Sequence, residues 1–285
     1  MKFEAFETEI IDEIIDVIAS YSEMGKNERY FINGFIRSLK PSKILELGVG
    51  AGGSSAIVLN AIKDFPNSHL VSVDYLEFAY RQPDKSSGFI VYEKFPELMT
   101  QWQIYRGGDI SNFIEKIGGD IDLLILDTIH VHPGEILDFI CVLPFLQDGA
   151  WVLLHDISVF YSSKLRNDAL ACRYLWSSVV SERKICPELT DWTQIFPNLG
   201  AFIIGSDTRK YIQNVFESLI IPWKLFPSEH DIANITSLIS KYYPEEYSLF
   251  FNKILDFQRI LKSRPAPENF IWEPLELKFL TQSRY

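Results

Sequence analysis

Two short apolar runs in this sequence end in the same residue types. Asp122-Leu123-Leu124-Ile125-Leu126 leads into Asp127, with His130 three residues on, and Trp151-Val152-Leu153-Leu154 leads into His155 and Asp156. Carboxylates and imidazoles are the side chains that move protons or hold divalent cations near neutral pH. An imidazole with its ordinary pKa near ~6.5 can take a proton from a hydroxyl at pH 7. Neighbouring parallel strands would deliver Asp127, His130, His155 and Asp156 to one rim of a sheet. Ionisable groups at the end of an apolar sheet are costly to desolvate. A plainer reading has the acids capping the following helices and His155 satisfied in the core. That reading competes for any one residue and is weaker for four at one rim. His132, just before Pro133, reads as a helix entrance and receives no role.

A second constellation lies upstream, in Ile44-Leu45-Glu46-Leu47-Gly48-Val49-Gly50-Ala51-Gly52-Gly53-Ser54-Ser55. A buried run passes into a glycine-rich turn, and a helix begins at Ser54. Glycines let the backbone approach a ligand and adopt dihedrals that a Cβ forbids. The helix start behind them favours an anion. Asp74, twenty-two residues after Gly52, ends the next strand and is suited to ribose hydroxyls. Gly48, Gly50 and Gly53 satisfy G-x-G-x-x-G and, with Asp74, match the dinucleotide fingerprint. Glu46 argues for a different ligand. Its carboxylate would repel a pyrophosphate and pair with an ammonium. S-adenosylmethionine carries an ammonium and a sulfonium and no phosphate, so electrostatics favour it over NAD. A turn that holds no ligand is the remaining reading.

These residues need a scaffold, and the sequence supplies one. Ile10, Ile11, Ile14, Ile15 and Ile18 recur at helical spacing opposite acids, and a second helix is expected over 28–39, ending before Pro41. Strands are expected at 43–47, 70–74, 103–106, 122–126, 151–154 and 201–204, four of them almost continuous in Ile, Leu and Val. Helices are expected at 54–63, 110–117, 134–145 and 165–181. Alternation of this kind implies an α/β, Rossmann-like, doubly wound sheet covered on both faces, with ligands at the strands' carboxyl ends. After Gly205 the alternation stops, and helices over 207–219, 229–242 and 245–262 form a C-terminal extension. The tail beyond Pro265 is expected to pack back on the body. The expected division is N-terminal helices in 1–40, an S-adenosylmethionine-binding Rossmann-like domain in 41–205, and the helical extension in 206–285.

Residues 27–205 resemble the class I S-adenosylmethionine-dependent methyltransferases, in particular the O-methyltransferase branch that includes the catechol and macrolide-sugar enzymes. Glu46-Leu47-Gly48-x-Gly50-x-Gly52 resembles the family's first motif. The resemblance implies that Ser54 holds the methionine carboxylate and that Asp74 holds the ribose. It places Gly108 and Asp109 at the adenine, although Asp109 also reads as a helix N-cap. It implies an antiparallel last strand in Pro197-Asn198-Leu199-Gly200-Ala201-Phe202-Ile203-Ile204. The sixth strand is expected within 176–193, with Trp176 and Trp192 candidates for an acceptor wall or for ordinary packing.

The catechol-type branch binds a divalent cation at the position of Asp127 and has a lysine base three residues later, where this chain has His130. It completes the metal site with an aspartate–asparagine pair, which here reads Asp156-Ile157. One ligand is therefore missing, and two readings stand. Either magnesium sits at Asp127 and Asp156 with water in place of the lost donor, or no cation is used and His130 or His155 deprotonates the nucleophile unaided. The resemblance implies O-methylation of a hydroxyl on a small molecule or glycan. The competing readings are an NAD-dependent oxidoreductase and a non-catalytic S-adenosylmethionine-binding or interaction module.

The remaining features bound the setting. An apolar share of 47% in 285 residues supports a large core. A net charge of -11 speaks against a nucleic-acid partner. Cys141, Cys172 and Cys186 lack metal-ligand spacing and suit a reducing compartment. No stretch reads as a signal peptide or membrane span, so a cytoplasmic protein with no membrane partner is expected. The C-terminal helices are expected to cover the acceptor cleft or to form a homodimer interface.

Overall fold

The apolar runs form the middle of a seven-stranded sheet. The computed structural model describes residues 14–22, 24–159, 170–187 and 196–263. Its strands are β1 (Lys43–Leu47), β2 (His69–Asp74), β3 (Trp102–Arg106), β4 (Ile121–Leu126), β5 (Leu146–His155), β6 (Lys184–Ile185) and β7 (Leu199–Ile203). Their order across the sheet is β3-β2-β1-β4-β5-β7-β6. The first five pair in parallel, and β7 runs antiparallel to both β5 and β6. The chain leaves β1 in one direction and returns on its other side at β4. That reversal opens a crevice between the ends of β1 and β4, where such sheets bind ligands. Gly48 and Asp127 flank it.

Successive strand residues point to opposite faces, and both faces are covered. Leu45, Leu47, Leu124, Leu126, Val152 and Leu154 share one core with helices on that side. Ile44, Leu70, Leu123, Ile125, Trp151 and Leu153 share the other with helices α1 (Lys26–Leu39) and α2 (Gly53–Ile62). Phe35 of α1 meets Trp151 edge to face at 5.3 Å. Burial on both sides explains why these strands read as continuous apolar runs.

Chain order then gives α3 (Phe89–Lys94), α4 (Ile114–Ile117), α5 (Gly134–Val142), α6 (Ala171–Ser178), α7 (Ser206–Lys210), α8 (Gln213–Ser218), α9 (Glu229–Tyr242) and α10 (Glu245–Ser263). The single helix expected over 207–219 is two. The Thr208 hydroxyl accepts the Gly205 N–H at 3.2 Å and reaches the Ile203 carbonyl at 3.4 Å, which ties the first turn to the end of β7. The helix expected over 110–117 is likewise split, into a 3-10 turn at Ile110–Asn112 and α4. A two-stranded hairpin at Phe78–Ala79 and Gln82–Ser86, and α3 behind it, were not expected. The sixth strand falls inside the expected segment. Ile10, Ile11, Trp192, residues 165–169 and the tail beyond Pro265 lie outside the described residues.

The C-terminal helices are not a separate body. Phe216, Ile235, Leu238, Phe251 and Ile254 belong to the same core as Leu45 and Leu126. Gln258, 2% exposed, keys the connection. Its amide nitrogen donates to the carbonyls of Leu219, Ile220 and Ile221, and its oxygen accepts the Trp223 N–H at 3.0 Å. From the other side, the His132 carbonyl accepts from Lys224 and Leu225, and His132 Nε2 lies 3.1 Å from the Ile221 carbonyl. Burial lowers the His132 pKa to about 4, so this imidazole is neutral and structural. Among the described residues no helix is long and apolar enough to cross a membrane.

Candidate active site

The glycine turn is shaped by what presses on it. Gly48 has φ +87°, and a Cβ there would lie 1.8 Å from the Asp127 carbonyl oxygen. Gly52 has φ +98°, and its Cβ would lie 2.9 Å from the Gly88 Cα. Both positions combine a left-handed backbone with no room for a side chain, so only glycine serves.

Asp74, expected at a ribose, braces this turn. Its Oδ2 accepts from the Val49 N–H at 3.1 Å, the Gly50 N–H at 2.9 Å and the Ser87 hydroxyl at 2.7 Å. Its Oδ1 accepts from the Leu76 N–H at 2.9 Å.

Glu46, expected to face an ammonium, is fully buried. It accepts hydroxyl hydrogen bonds from Ser54, Ser55 and Ser72, each at 2.6 Å. Trp102 Nε1 donates in turn to the Ser72 hydroxyl at 2.9 Å. Burial pushes the Glu46 pKa up, three hydroxyl donors oppose this, and the charge of Asp127 adds to it. The Ser54 hydroxyl expected on a methionine carboxylate is thus spent on Glu46 here.

On the adenine side, Asp109 caps the turn that follows β3 by accepting from the Ser111 N–H at 2.8 Å, as its alternative reading has it. Gly108 lies beside it, and a Cβ there would stand 3.2 Å from Asn112 Nδ2. Helix α9 reaches this turn, with His230 Nε2 3.1 Å and Asn234 Nδ2 3.0 Å from Asn112 Oδ1. A small depression open to solvent lies beside the glycine turn and is lined by Tyr21, Ala51, Ala79, Tyr80 and Arg81 among others. None of the four rim residues lines it.

Asp127, His130, His155 and Asp156 do converge at the ends of β4 and β5. His155 Nδ1 stands 3.2 Å from Asp127 Oδ1 and 3.4 Å from Asp156 Oδ2. His130 Nε2 stands 3.0 Å from Asp156 Oδ2 and 3.8 Å from Asp127 Oδ1. His130 and Asp156 both have left-handed backbones, with φ of +62° and +58°. Such dihedrals cost energy in non-glycine residues and persist where the surroundings impose them, as at binding sites.

Three partners escaped the sequence reading. Glu135, fully buried, places Oε1 3.3 Å from His130 Nδ1 and accepts the His130 N–H at 2.5 Å. Its spacing of five residues from His130 was a usable signal. Glu28 of α1 brings Oε2 to 3.6 Å from His155 Nε2, and Asn198 Nδ2 donates to Asp156 Oδ1 at 2.6 Å. Neither had a signal in linear spacing. Trp176 packs on the ring of Phe202 at 6.2 Å and against Gly200, which is the packing role.

The electrostatics follow from two imidazoles among four carboxylates. Burial alone would lower the His130 pKa, but Glu135, Asp127 and Asp156 outweigh it and hold the ring at about 9. Burial likewise opposes charging of His155, and Asp127, Asp156 and Glu28 push its pKa well up. Burial would raise Asp156, yet His155, His130 and Asn198 bring it down to about 2. In this state His130 is an imidazolium at neutral pH, without the free lone pair that a general base needs.

A family model described as a methyltransferase domain matches residues 45–157, from β1 to just past β5. No curated protein matches the chain. Among solved structures the chain is similar to TomG, an O-methyltransferase from Streptomyces achromogenes involved in tomaymycin synthesis and solved with SAM. The TM-score is 0.52 at 15% identity, covering 70% of this chain and 92% of that one. It is also similar to an O-methyltransferase from Bacillus cereus solved with SAH, with a TM-score of 0.51 at 13% identity, covering 69% and 91%. At such identities the likeness is one of fold. Residues 45–157 therefore match a methyltransferase domain, and the chain has the Rossmann-like fold of these structures.

Proposed function

We propose that this protein is a methyltransferase that uses S-adenosylmethionine to methylate a hydroxyl on a small molecule or glycan. The observation that carries the reading is the contact between Gly48 and Asp127. It seats the glycine turn directly against the rim of acids and imidazoles, so a cofactor on the one side faces an acceptor on the other. Both structural neighbours described above are O-methyltransferases, which supports the choice of oxygen.

In this reading the glycine turn, Glu46 and Ser54 receive the amino-acid end of the cofactor, and Asp74 receives the ribose. S-adenosylmethionine supplies the methyl group from its sulfonium. Ser54 can turn from Glu46 to the ligand because Ser55 and Ser72 continue to hold the buried carboxylate. Gly108 and Asp109 border the adenine.

The rim then positions the acceptor, and orientation supplies much of the acceleration in a methyl transfer. His130 has 23% of its side chain exposed against 4% for His155. His130 is therefore the imidazole on the open side of the rim, and the orientation of both acids falls to His155. The donor set at the rim fits a divalent cation: Asp127, His130 and Asp156 each offer an atom within 4.8 Å of the others. Asp127 and Asp156 would hold it, and it would lower the pKa of a nearby hydroxyl.

Calorimetric titration with S-adenosylhomocysteine and with NAD tests the cofactor, and mass spectrometry for a gain of one methyl across acceptor classes tests the reaction. Binding of S-adenosylhomocysteine with none of NAD is expected. The reverse would remove the reading.

A further inference from the structure

We propose that the rim takes its divalent cation through the His130 imidazole as well as Asp127 and Asp156, and so prefers nitrogen-accepting ions such as Mn²⁺, Co²⁺ or Zn²⁺ to Mg²⁺. The inference rests on the proposal of a cation at Asp127 and Asp156 and deepens it.

The geometry is that of a first coordination shell. Two donors bound about 2.1 Å from one ion stand about 3.0 Å apart at adjacent octahedral positions and about 3.4 Å apart at tetrahedral ones. His130 Nε2 lies 3.0 Å from Asp156 Oδ2 and 3.8 Å from Asp127 Oδ1, which brackets those spacings.

Each donor is also aimed by a partner of its own. Glu135 Oε1 stands 3.3 Å from the far nitrogen of the His130 ring, Nδ1. A carboxylate behind an imidazole is how metal-binding histidines are oriented, because it fixes the N–H on one nitrogen and turns the lone pair of the other toward the ion. Glu135 is fully buried, and its Oε2 makes no hydrogen bond among the described residues, so its partnership with His130 is its main polar contact. Asn198 holds Asp156 by Oδ1, which leaves Oδ2 for the ion. His155 Nδ1 lies within 3.4 Å of both Asp127 Oδ1 and Asp156 Oδ2, where it orients the two ligands and needs no bond to the metal.

The chemistry follows from the donors. Ile157, the residue after Asp156, is 1% exposed and offers no ligand atom. The third donor is therefore nitrogen, and imidazole suits Mn²⁺, Co²⁺ and Zn²⁺, while Mg²⁺ demands oxygen. His130 acts here as a ligand where the sequence pointed to a base.

The test uses the full-length chain stripped with a chelator and saturated with S-adenosylhomocysteine. Affinities for Mn²⁺, Co²⁺ and Mg²⁺ are measured by calorimetry, and the electron spin echo of bound Mn²⁺ is examined for modulation by a directly bound imidazole nitrogen. Native protein should show that modulation. His130→Ala should lose it, weaken Co²⁺ binding by at least about tenfold and change Mg²⁺ binding by less than about threefold, whereas His155→Ala should keep the modulation. Mn²⁺ bound without a nitrogen signal in the native protein overturns the inference and leaves the cation at the two acids standing. A Co²⁺ to Mg²⁺ preference unchanged by His130→Ala does the same. S-adenosylhomocysteine binding with no divalent cation bound at all removes both the inference and the cation, and leaves the cofactor reading intact.

Discussion

His130 Nε2 lies 3.0 Å from Asp156 Oδ2, which joins the loop after β4 to the end of β5 through one imidazole and one carboxylate. In metal-free protein that ring holds its proton up to about pH 9, above its ordinary value of 6.5. The folded state then binds a proton that the unfolded chain releases, so this contribution is full below about pH 6.5 and is lost as pH rises through about 9. Native protein and His130→Ala should therefore differ most in acid, with a pH-dependent part of about 2–3 kcal/mol that fades by about pH 10. Urea denaturation across that range in chelator reads it directly. A flat difference would mean that the ring is neutral.

Glu46 titrates with the same sign from a lower ordinary value. Burial raises its pKa above the ordinary 4.5, so the folded protein keeps this proton longer than the unfolded chain does. Stability from this group is full below that value and declines as pH rises through the folded one. Glu46→Gln should flatten the decline. Glu46→Ala should cost about 2–4 kcal/mol at neutral pH, because it opens a cavity and orphans three hydroxyls.

Replacing Asp74 should cost stability as well as affinity. Its carboxylate accepts two N–H groups of the glycine turn, and these lose their partner in Asp74→Ala. A loss of about 1–3 kcal/mol in folding is expected together with weaker binding of S-adenosylhomocysteine. Calorimetry and thermal melts separate the two effects. Weakened binding at unchanged stability would show that the brace carries no weight.

Gln258→Ala probes the attachment of the C-terminal helices. Three carbonyls and one N–H lose their common partner, so a loss of about 2–4 kcal/mol is expected in one cooperative transition, since these helices share the sheet's core. A separate early transition would mean that the extension melts on its own.

The sheet was legible because its strands are buried on both faces and read as unbroken apolar runs. β1 was read to the residue. The rim was legible for a related reason: Asp127 and Asp156 each follow such a run directly. What the sequence could not disclose was the network around them. Glu28 reaches His155 only because α1 packs beneath the sheet, and Asn198 reaches Asp156 only because β7 runs antiparallel beside β5. The hairpin at Phe78–Ala79 and Gln82–Ser86 was missed because its polar, exposed residues lack the alternation of a half-buried strand. The protonation of His130 was not legible without Glu135, which lifts the ring's pKa together with Asp127 and Asp156.

The missing Cβ at Gly48 has one more consequence. With the backbones of residues 48 and 127 in van der Waals contact, neither strand end can shift without displacing the other. A ligand that orders the glycine turn and a ligand that orders the rim then act on a single mechanical element. By thermodynamic reciprocity, whatever factor the first imposes on the affinity of the second is returned in full. The stability of the doubly bound state and the cost of an empty rim would both be governed by that one factor, set by a side chain that is not there.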